Sequence, residues 1–208
     1  MVQTARDGDS DRVEHKKRRI LKAAAEVFRR QGLHATGMRD IAAEIGMHAG
    51  NLYYYFRSKE ELLAFCQQDA LDGLLELASR TADSDESADE KLRRLIVGHV
   101  EQLNEETPGS LAHLEVEALG DEWRKRIQAQ RDRYEAMVRR TLSDGVATGD
   151  FRPIDCTLSA RALLGALNWT VKWFHRDGKR TASDIGEEFA ELFLSGVRRP
   201  TAETSPEA

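Results

Sequence analysis

The sequence predicts an all-α fold of about nine helices. Only four prolines interrupt the 208 residues, and Val, Ile and Thr do not form long runs. Apolar residues instead recur every three or four positions, which places them on one face of a helix. Hydrophobic residues make up 40% of the chain, enough for a buried core, and the length suits one or two compact domains.

The first predicted helix spans residues 14–31 and ends at Gly32. Residues 1–12 are polar and are expected to form a disordered tail, and residues 200–208 are expected to form a flexible one. The apolar stripe of the first helix consists of Ile20, Ala24, Val27 and Phe28.

Two short helices and a tight turn are predicted within residues 36–62. The first ends at Gly46, whose lack of a side chain suits a left-handed cap. The second spans residues 49–55 and points Leu52 and Phe56 inward. Together they are the parts of a helix-turn-helix, whose second helix enters the major groove of DNA. The buried face of the first short helix comprises Met38, Ile41, Ala42 and Ile45.

The outer surface of the second short helix fits a DNA partner. So short a helix cannot bury Tyr53, Tyr54 and Tyr55 together, and buried tyrosine hydroxyls need partners of their own. Exposed tyrosine hydroxyls donate to phosphate oxygens. The alternative interpretation is a small three-helix domain that merely has an aromatic surface.

A fourth helix is expected to begin at Ser58, which forms a capping box with Glu61. Lys59 in its first turn opposes the helix dipole, a cost that a nearby phosphate would offset. A solvated lysine is the other interpretation. The basic run at residues 15–19 is likewise either an arm along DNA or the charged first turns of the first helix.

Residues 16–63 resemble the DNA-binding domain of the TetR family of bacterial repressors. The matching motifs are IL.AA...F...G at 20–32, T.MRDIA at 36–42 and G.....LYYYF.SKEEL at 46–62. One departure is Gly37, where many family members carry a hydroxyl side chain. The resemblance implies phosphate contacts and base contacts from Thr36, Arg39, His48, Ala49, Gly50, Asn51, Tyr53, Tyr54, Tyr55 and Lys59.

The net charge of the chain is −5, and its distribution separates two modules. Residues 12–59 hold eleven Lys/Arg and four Asp/Glu, which leaves −12 for the rest of the chain. A basic module on an acidic body is typical of a DNA-binding head attached to a regulatory domain. We therefore expect a helix-turn-helix DNA-binding domain at residues 13–60 and a ligand-binding and dimerisation domain at residues 61–199.

The second domain is predicted to contain the remaining helices. The last two carry broad apolar faces, which either pack on the chain's own body or join a second subunit in a four-helix bundle. The family resemblance favours a homodimer through these two helices. Helices four to nine are expected at residues 58–80, 88–106, 111–119, 121–148, 155–175 and 183–197.

An apolar effector pocket with a few polar groups is expected in the second domain. Ordinary core packing is the other interpretation of most of its candidate residues. The candidates are Phe65, His99, Leu103, His113, Trp123, Tyr134, Met137, Trp169 and Trp173.

Residues 162–194 are also similar to the C-terminal part of TetR-type regulators of fatty-acid and sterol-ring breakdown, which respond to acyl-CoA thioesters. The resemblance implies that cations hold the CoA phosphates, with Lys172, Arg176 and Arg133 as candidates. A multidrug or aromatic-compound sensor is the competing effector class. A packing pattern of dimer helices is the simpler interpretation of the same residues.

Other classes of protein have little support in the sequence. No phosphate-cradling glycine loop or nucleophile elbow predicts an enzyme, and no cofactor or metal is expected. A metal-dependent enzyme would require His99, His113, Glu115 and Glu117 to meet. A DNA-binding architectural protein without an effector is the third interpretation.

The cellular compartment is expected to be the cytoplasm. Cys66 and Cys156 form no disulfide framework, and no signal peptide precedes the first helix. No apolar stretch approaches the ~20 residues that span a bilayer.

Overall fold

The computed structural model describes residues 3–32, 34–106 and 116–199, without the side chains of residues 3–12, 14, 29 and 106. Within these ranges the chain forms eight α-helices and no β-strand, so the predicted all-α fold is confirmed. None of these helices is long and apolar enough to cross a membrane. The helices are α1 (Gln3–Gln31), α2 (Met38–Glu44), α3 (Ala49–Tyr55), α4 (Lys59–Ala82), α5 (Ala88–Glu101), α6 (Asp121–Thr148), α7 (Cys156–Trp173) and α8 (Ala182–Val197).

Two short helical turns connect α5 to α6. A π-helical turn at Gln102–Glu106 continues α5, and a 3-10 turn at Val116–Ala118 precedes α6. The predicted helix at 111–119 lies mostly outside the described residues, as do His113 and the tail at 200–208.

Helix α1 begins at Gln3, so residues 3–12, which were expected to form a disordered tail, are helical in the structure. Extending an existing helix adds one hydrogen bond for each residue fixed, whereas starting a new one is costly. The buried part of α1 from Ile20 onward supplies the nucleus, and no proline lies upstream to stop the helix.

The chain divides into two compact units. The first comprises Met1–Asp72 with Glu105–Gln130, and the second comprises Gly73–Asn104 with Arg131–Ala208. The first unit is therefore larger than the predicted domain at 13–60. It also takes in the first half of α4 and the start of α6.

The first unit is built around one apolar core. The inner faces of α1, α2 and α3 supply about half of it, and the first half of α4 supplies much of the rest, including Leu62 and Leu63. Leu119 and Ile127, which flank the start of α6, belong to the same core. The short helices of the motif are thus fixed from both sides, which matters because helices of seven residues are not stable alone.

The second unit depends on close packing between α5 and α8. Gly186 lies against the backbone of Val97, where an added Cβ would come within 2.8 Å of the Val97 Cα. Arg198 donates two hydrogen bonds to the carboxylate of Asp89, at 2.5 and 2.8 Å. These bonds lower the pKa of Asp89, although burial opposes the shift. Arg93 bridges α5 to two glutamates of α8.

Gly186→Ala should lower the free energy of unfolding by about 1–3 kcal/mol, because the added methyl forces the two helices apart. Gly196→Ala in the same helix is the control, since nothing lies within 4 Å of its added Cβ. It should be neutral or stabilising by up to about 1 kcal/mol through helix propensity. Urea unfolding followed by circular dichroism measures both. Equal effects of the two variants would contradict the close approach.

Candidate DNA interface and effector site

Helix α3 has one buried edge and a broad exposed face. Leu52 within it and Phe56 at its C-terminal cap are buried, as predicted. On the opposite side, Tyr54 is 80% exposed and Tyr53 is 49% exposed. Tyr55 is half-buried, and its ring meets that of Tyr54 edge to face at 5.2 Å between centroids.

Three of the remaining predicted contacts on α3 and its cap share this exposed face. His48, Gly50 and Asn51 are exposed, whereas Ala49 is half-buried and packs against the core of the first unit. The other residues at the start of the helix therefore face solvent. That is the geometry a recognition helix needs, because its N-terminal residues contact base edges.

The turn before α3 is made by a glycine in the left-handed region. Gly46 has φ +62°, and its N–H donates to the carbonyl of Ala43 at 3.1 Å. The next amide, that of Met47, donates to the carbonyl of Ala42 at 2.8 Å. The glycine signal in the sequence therefore predicted the end of α2 correctly.

Gly37 takes the N-cap position just before α2 and makes no side-chain hydrogen bond there. The carboxylate of Asp40 accepts a hydrogen bond from the Gly37 amide at 2.7 Å. Half of a capping box is thus present, and the half that needs a hydroxyl is absent. Arg39 is exposed beside it.

Thr36 was expected to contact a phosphate, but its hydroxyl is bonded within the protein. The side chain is 2% exposed, and its hydroxyl donates to the carbonyl of Gly32 at 2.8 Å. Thr36 therefore stabilises the link between α1 and α2 instead of presenting its hydroxyl to solvent.

Lys59 has a partner that the sequence did not predict. Its ammonium group donates to the carbonyl of Thr36 at 3.0 Å, which ties the first turn of α4 to the segment before α2. An ammonium has three donors, so a phosphate contact remains compatible with this bond. Next to it, Glu60 accepts a hydrogen bond from the amide of Gly120 at 2.8 Å, just before α6.

The predicted cap at Ser58 is present in modified form. The Glu61 amide donates to the Ser58 hydroxyl at 3.1 Å, as a capping box requires. The Glu61 carboxylate, however, accepts from the amide of Arg57 at 2.6 Å, one residue before the expected partner. Both bonds fix the link between α3 and α4.

The predicted effector residues are divided between the two units. Phe65 and Trp123 are half-buried and pack against the core of the first unit. The ring of Phe65 meets Phe56 at 5.5 Å, and the guanidinium carbon of Arg126 lies 5.4 Å from the ring of Trp123. These contacts are those of core and surface packing.

His99 is the centre of a buried polar chain in the second unit. Its Nδ1 lies 3.1 Å from the Tyr134 hydroxyl, and its Nε2 lies 3.2 Å from the Asn168 Oδ1. A neutral ring with its proton on Nε2 satisfies both bonds, which join α5, α6 and α7. Burial lowers the pKa of His99 to about 4, and the bond to Asn168 opposes this shift. Burial also raises the pKa of Tyr134.

A second polar chain, which sequence reasoning missed, lies beside the π-helical turn. Asn104 is buried and donates from Nδ2 to the carbonyl of Val100 and to the hydroxyl of Thr170, both at 2.8 Å. Arg176 donates to the Asn104 carbonyl at 3.2 Å. Polar residues inside otherwise apolar helical runs were the available signal.

The other predicted residues have mixed surroundings. Leu103 is buried in the second unit, and Met137 lines a cavity of about 350 Å³ beside α4, α5 and α6. Trp169 and Trp173 are 58% and 42% exposed, so neither is enclosed within the second unit. Trp173 borders a surface groove of about 590 Å³ with Phe189 and other residues near the α7–α8 turn.

Comparison with known proteins follows the same division of the chain. The family described as bacterial regulatory proteins, tetR family, matches residues 20–65. The family described as tetracyclin repressor-like, C-terminal domain, matches residues 85–197. The chain is also 29% identical over 187 residues to the HTH-type transcriptional repressor KstR2 of Mycolicibacterium smegmatis, covering 86% of this chain and 88% of that protein.

Two solved structures are similar over most of their length. The TetR family transcriptional regulator PfmR from Thermus thermophilus superposes with a TM-score of 0.80 at 35% identity, covering 87% of this chain and all of that one. AibR in complex with isovaleryl coenzyme A and operator DNA superposes with a TM-score of 0.73 at 28% identity, covering 85% of this chain and 96% of that one.

Acidification should unfold the protein partly through His99. The unfolded chain takes up a proton near the ordinary pKa of 6.5, whereas the folded chain resists it down to about 4. The stabilisation is therefore complete above pH 6.5 and is lost as the pH falls towards 4, by about 2 kcal/mol at pH 5.

The measurement is the free energy of unfolding in urea at about pH 7.5 and at about pH 5. His99→Gln keeps a polar side chain and removes the titration, so its loss between the two pH values should be smaller by about 2 kcal/mol. An identical pH dependence in both proteins would show that His99 is accessible to protons when folded.

Proposed function

The chain belongs to the TetR family of bacterial regulatory proteins, and we propose that an acyl-CoA thioester releases its dimer from a near-palindromic operator. The matches to both family domains show that the chain is a ligand-responsive transcriptional repressor. The likeness to AibR, whose structure contains isovaleryl coenzyme A and operator DNA, supports the proposed effector and operator.

The exposed face of α3 supports the DNA contacts. Arg39, His48 and Asn51 are exposed and carry groups that can bond to base edges. Tyr53, Tyr54 and Lys59 suit phosphates, which fix the position of the head without reading sequence. Gly50, Ala49 and Tyr55 complete the contact surface, and Thr36 contributes through the bond that Lys59 makes to its carbonyl.

A dimer through α7 and α8 accounts for the apolar surface of the second unit. Among the described residues, the exposed large hydrophobic side chains outside α3 all lie on these two helices. A second copy would cover them in a four-helix bundle, with two α3 helices about 34–36 Å apart for adjacent turns of DNA. The residues are Leu158, Trp169, Trp173 and Leu192.

The effector class is supported by chemistry as well as by similarity. CoA carries phosphates that cationic side chains can bind. Lys172 on α7, Arg176 just after α7 and Arg133 on α6 are all exposed. Arg176 also bonds to the Asn104 carbonyl of the π-helical turn, which relates this cation to the buried polar chain of the second unit.

The two kinds of DNA contact should respond differently to substitution. Tyr54→Phe removes a hydroxyl from a side chain that is 80% exposed, so folding should be unchanged and binding to every duplex should weaken alike. Asn51→Ala should reduce the preference for the operator over mutated operators, by about 1–3 kcal/mol at the affected base pair. Fluorescence anisotropy on a set of duplexes measures both. A loss of preference with Tyr54→Phe would reverse the assignment.

Acyl-CoA thioesters should release the wild-type protein from its operator. The test compares esters of increasing chain length, starting with isovaleryl-CoA, with the free acids and with CoA alone. Release by esters only would establish the effector class, because the response then requires the acyl chain and the nucleotide together. If no ester acts and an aromatic or drug-like compound does, the acyl-CoA proposal fails and DNA binding stands.

A further inference from the structure

Most positive charge in the DNA-binding head lies outside the helix-turn-helix. Residues 12–31, which contain the whole predicted first helix, hold eight Lys/Arg and two Glu. Residues 32–59, which contain the motif itself, hold three Lys/Arg and two Asp/Glu. The motif alone therefore has a net charge of +1, whereas the segment before it has +6.

This distribution matters because the affinity of proteins for DNA depends strongly on the number of phosphates that cations neutralise. A motif with a net charge of +1 on a chain with a net charge of −5 supplies little of that attraction. The cations of α1 are the available source within the head.

Helix α1 holds these cations at a fixed place in the first unit. Its Ile20 and Leu21 are fully buried in the core, directly after the basic run. Lys17 lies with its ammonium 4.9 Å from the centroid of the Phe65 ring. Phe65 in turn meets Phe56, which ends α3. Two ring contacts thus connect the basic segment to the end of the recognition helix.

The outer face of this segment is exposed and cationic. His15, Arg18, Arg19 and Lys22 are exposed, and their spacing of three and four places them on one side of α1. No acidic residue occurs between residues 15 and 25. Further along the same helix Arg30 is paired with a carboxylate at 2.7 Å, whereas neither Arg18 nor Arg19 has such a partner in the described part of the chain.

We propose that Arg18, Arg19 and Lys22 form a second phosphate-binding surface, which extends the DNA contact beyond the helix-turn-helix. The inference rests on the proposed DNA binding. These side chains contact the backbone of the duplex and do not read its sequence, because guanidinium and ammonium groups on phosphates carry no base information. Their contribution falls as salt rises.

The salt dependence of binding tests the surface without knowledge of the operator. The affinity of the full-length protein for a labelled random-sequence duplex is measured between about 50 and 200 mM KCl. The slope of log K against log salt is negative, and each lost phosphate contact should lower its magnitude by about 0.9. Arg18→Ala/Arg19→Ala should therefore lower it by up to about 1.8 per protomer.

Matched variants separate a local contact from a general change of charge. Arg139→Ala/Arg140→Ala removes two adjacent exposed arginines from α6 and should leave the slope unchanged. Arg18→Lys/Arg19→Lys keeps the charges and should keep the slope. Circular dichroism checks that the helices persist in each variant.

The outcomes distinguish this inference from the proposed function. If Lys59→Ala lowers the slope and Arg18→Ala/Arg19→Ala does not, the cations of α1 form a solvated face and DNA binding stands. If both double alanine variants lower the slope equally, the effect is general charge and the surface is overturned. If the wild-type protein binds no duplex at low salt, both proposals fail.

Discussion

The first turn of α4 is the constraint on which the DNA-binding surface depends. Lys59, Glu60 and Glu61 follow one another in sequence, yet each bonds to a different segment. Lys59 bonds to the chain before α2, Glu60 to the residue before α6, and Glu61 to the link after α3. Helix α3 has only seven residues and no side-chain bond at its N-cap. Its orientation therefore comes from the segments that this turn holds together and from its two buried side chains.

Exposed apolar residues lie on the helices for which a partner is proposed. Exposed aromatic rings and leucines cost free energy in water, and here they occur on α3, α7 and α8, the helices for which a DNA or protein partner is proposed. Within the described residues of the head, Arg18 and Arg19 have no carboxylate partner, while Arg93 and Arg198 of the second unit form ion pairs that fasten α8.

Local signals in the sequence predicted the parts of the fold that depend on local chemistry. The bounds of α3 and α6 agree with the structure because turns, glycines and caps define them. The exposure of Tyr54 was expected because so short a helix cannot bury all its sides. These features depend on residues within a few positions of one another.

Features set by distant residues were not predictable in the same way. Burial of Thr36 and the bond from Lys59 depend on packing between segments more than twenty residues apart. Trp169 and Trp173 were candidates for an apolar pocket, and their exposure follows from which face of α7 the rest of the unit covers. Periodicity alone gives an apolar face but does not say whether the same chain or another one covers it.

The shortness of α3 limits how much information the protein can extract from DNA. Seven residues rise by about 10 Å, the length of about three base pairs. Two such helices in a dimer can directly contact roughly six base pairs. A given sequence of six base pairs occurs by chance about once in every few thousand base pairs of a genome. Selectivity among genes would then also depend on the proposed contacts outside α3, on the spacing of two half-sites and on the mechanical properties of the duplex between them. Mutations between the half-sites of a promoter would then also alter regulation.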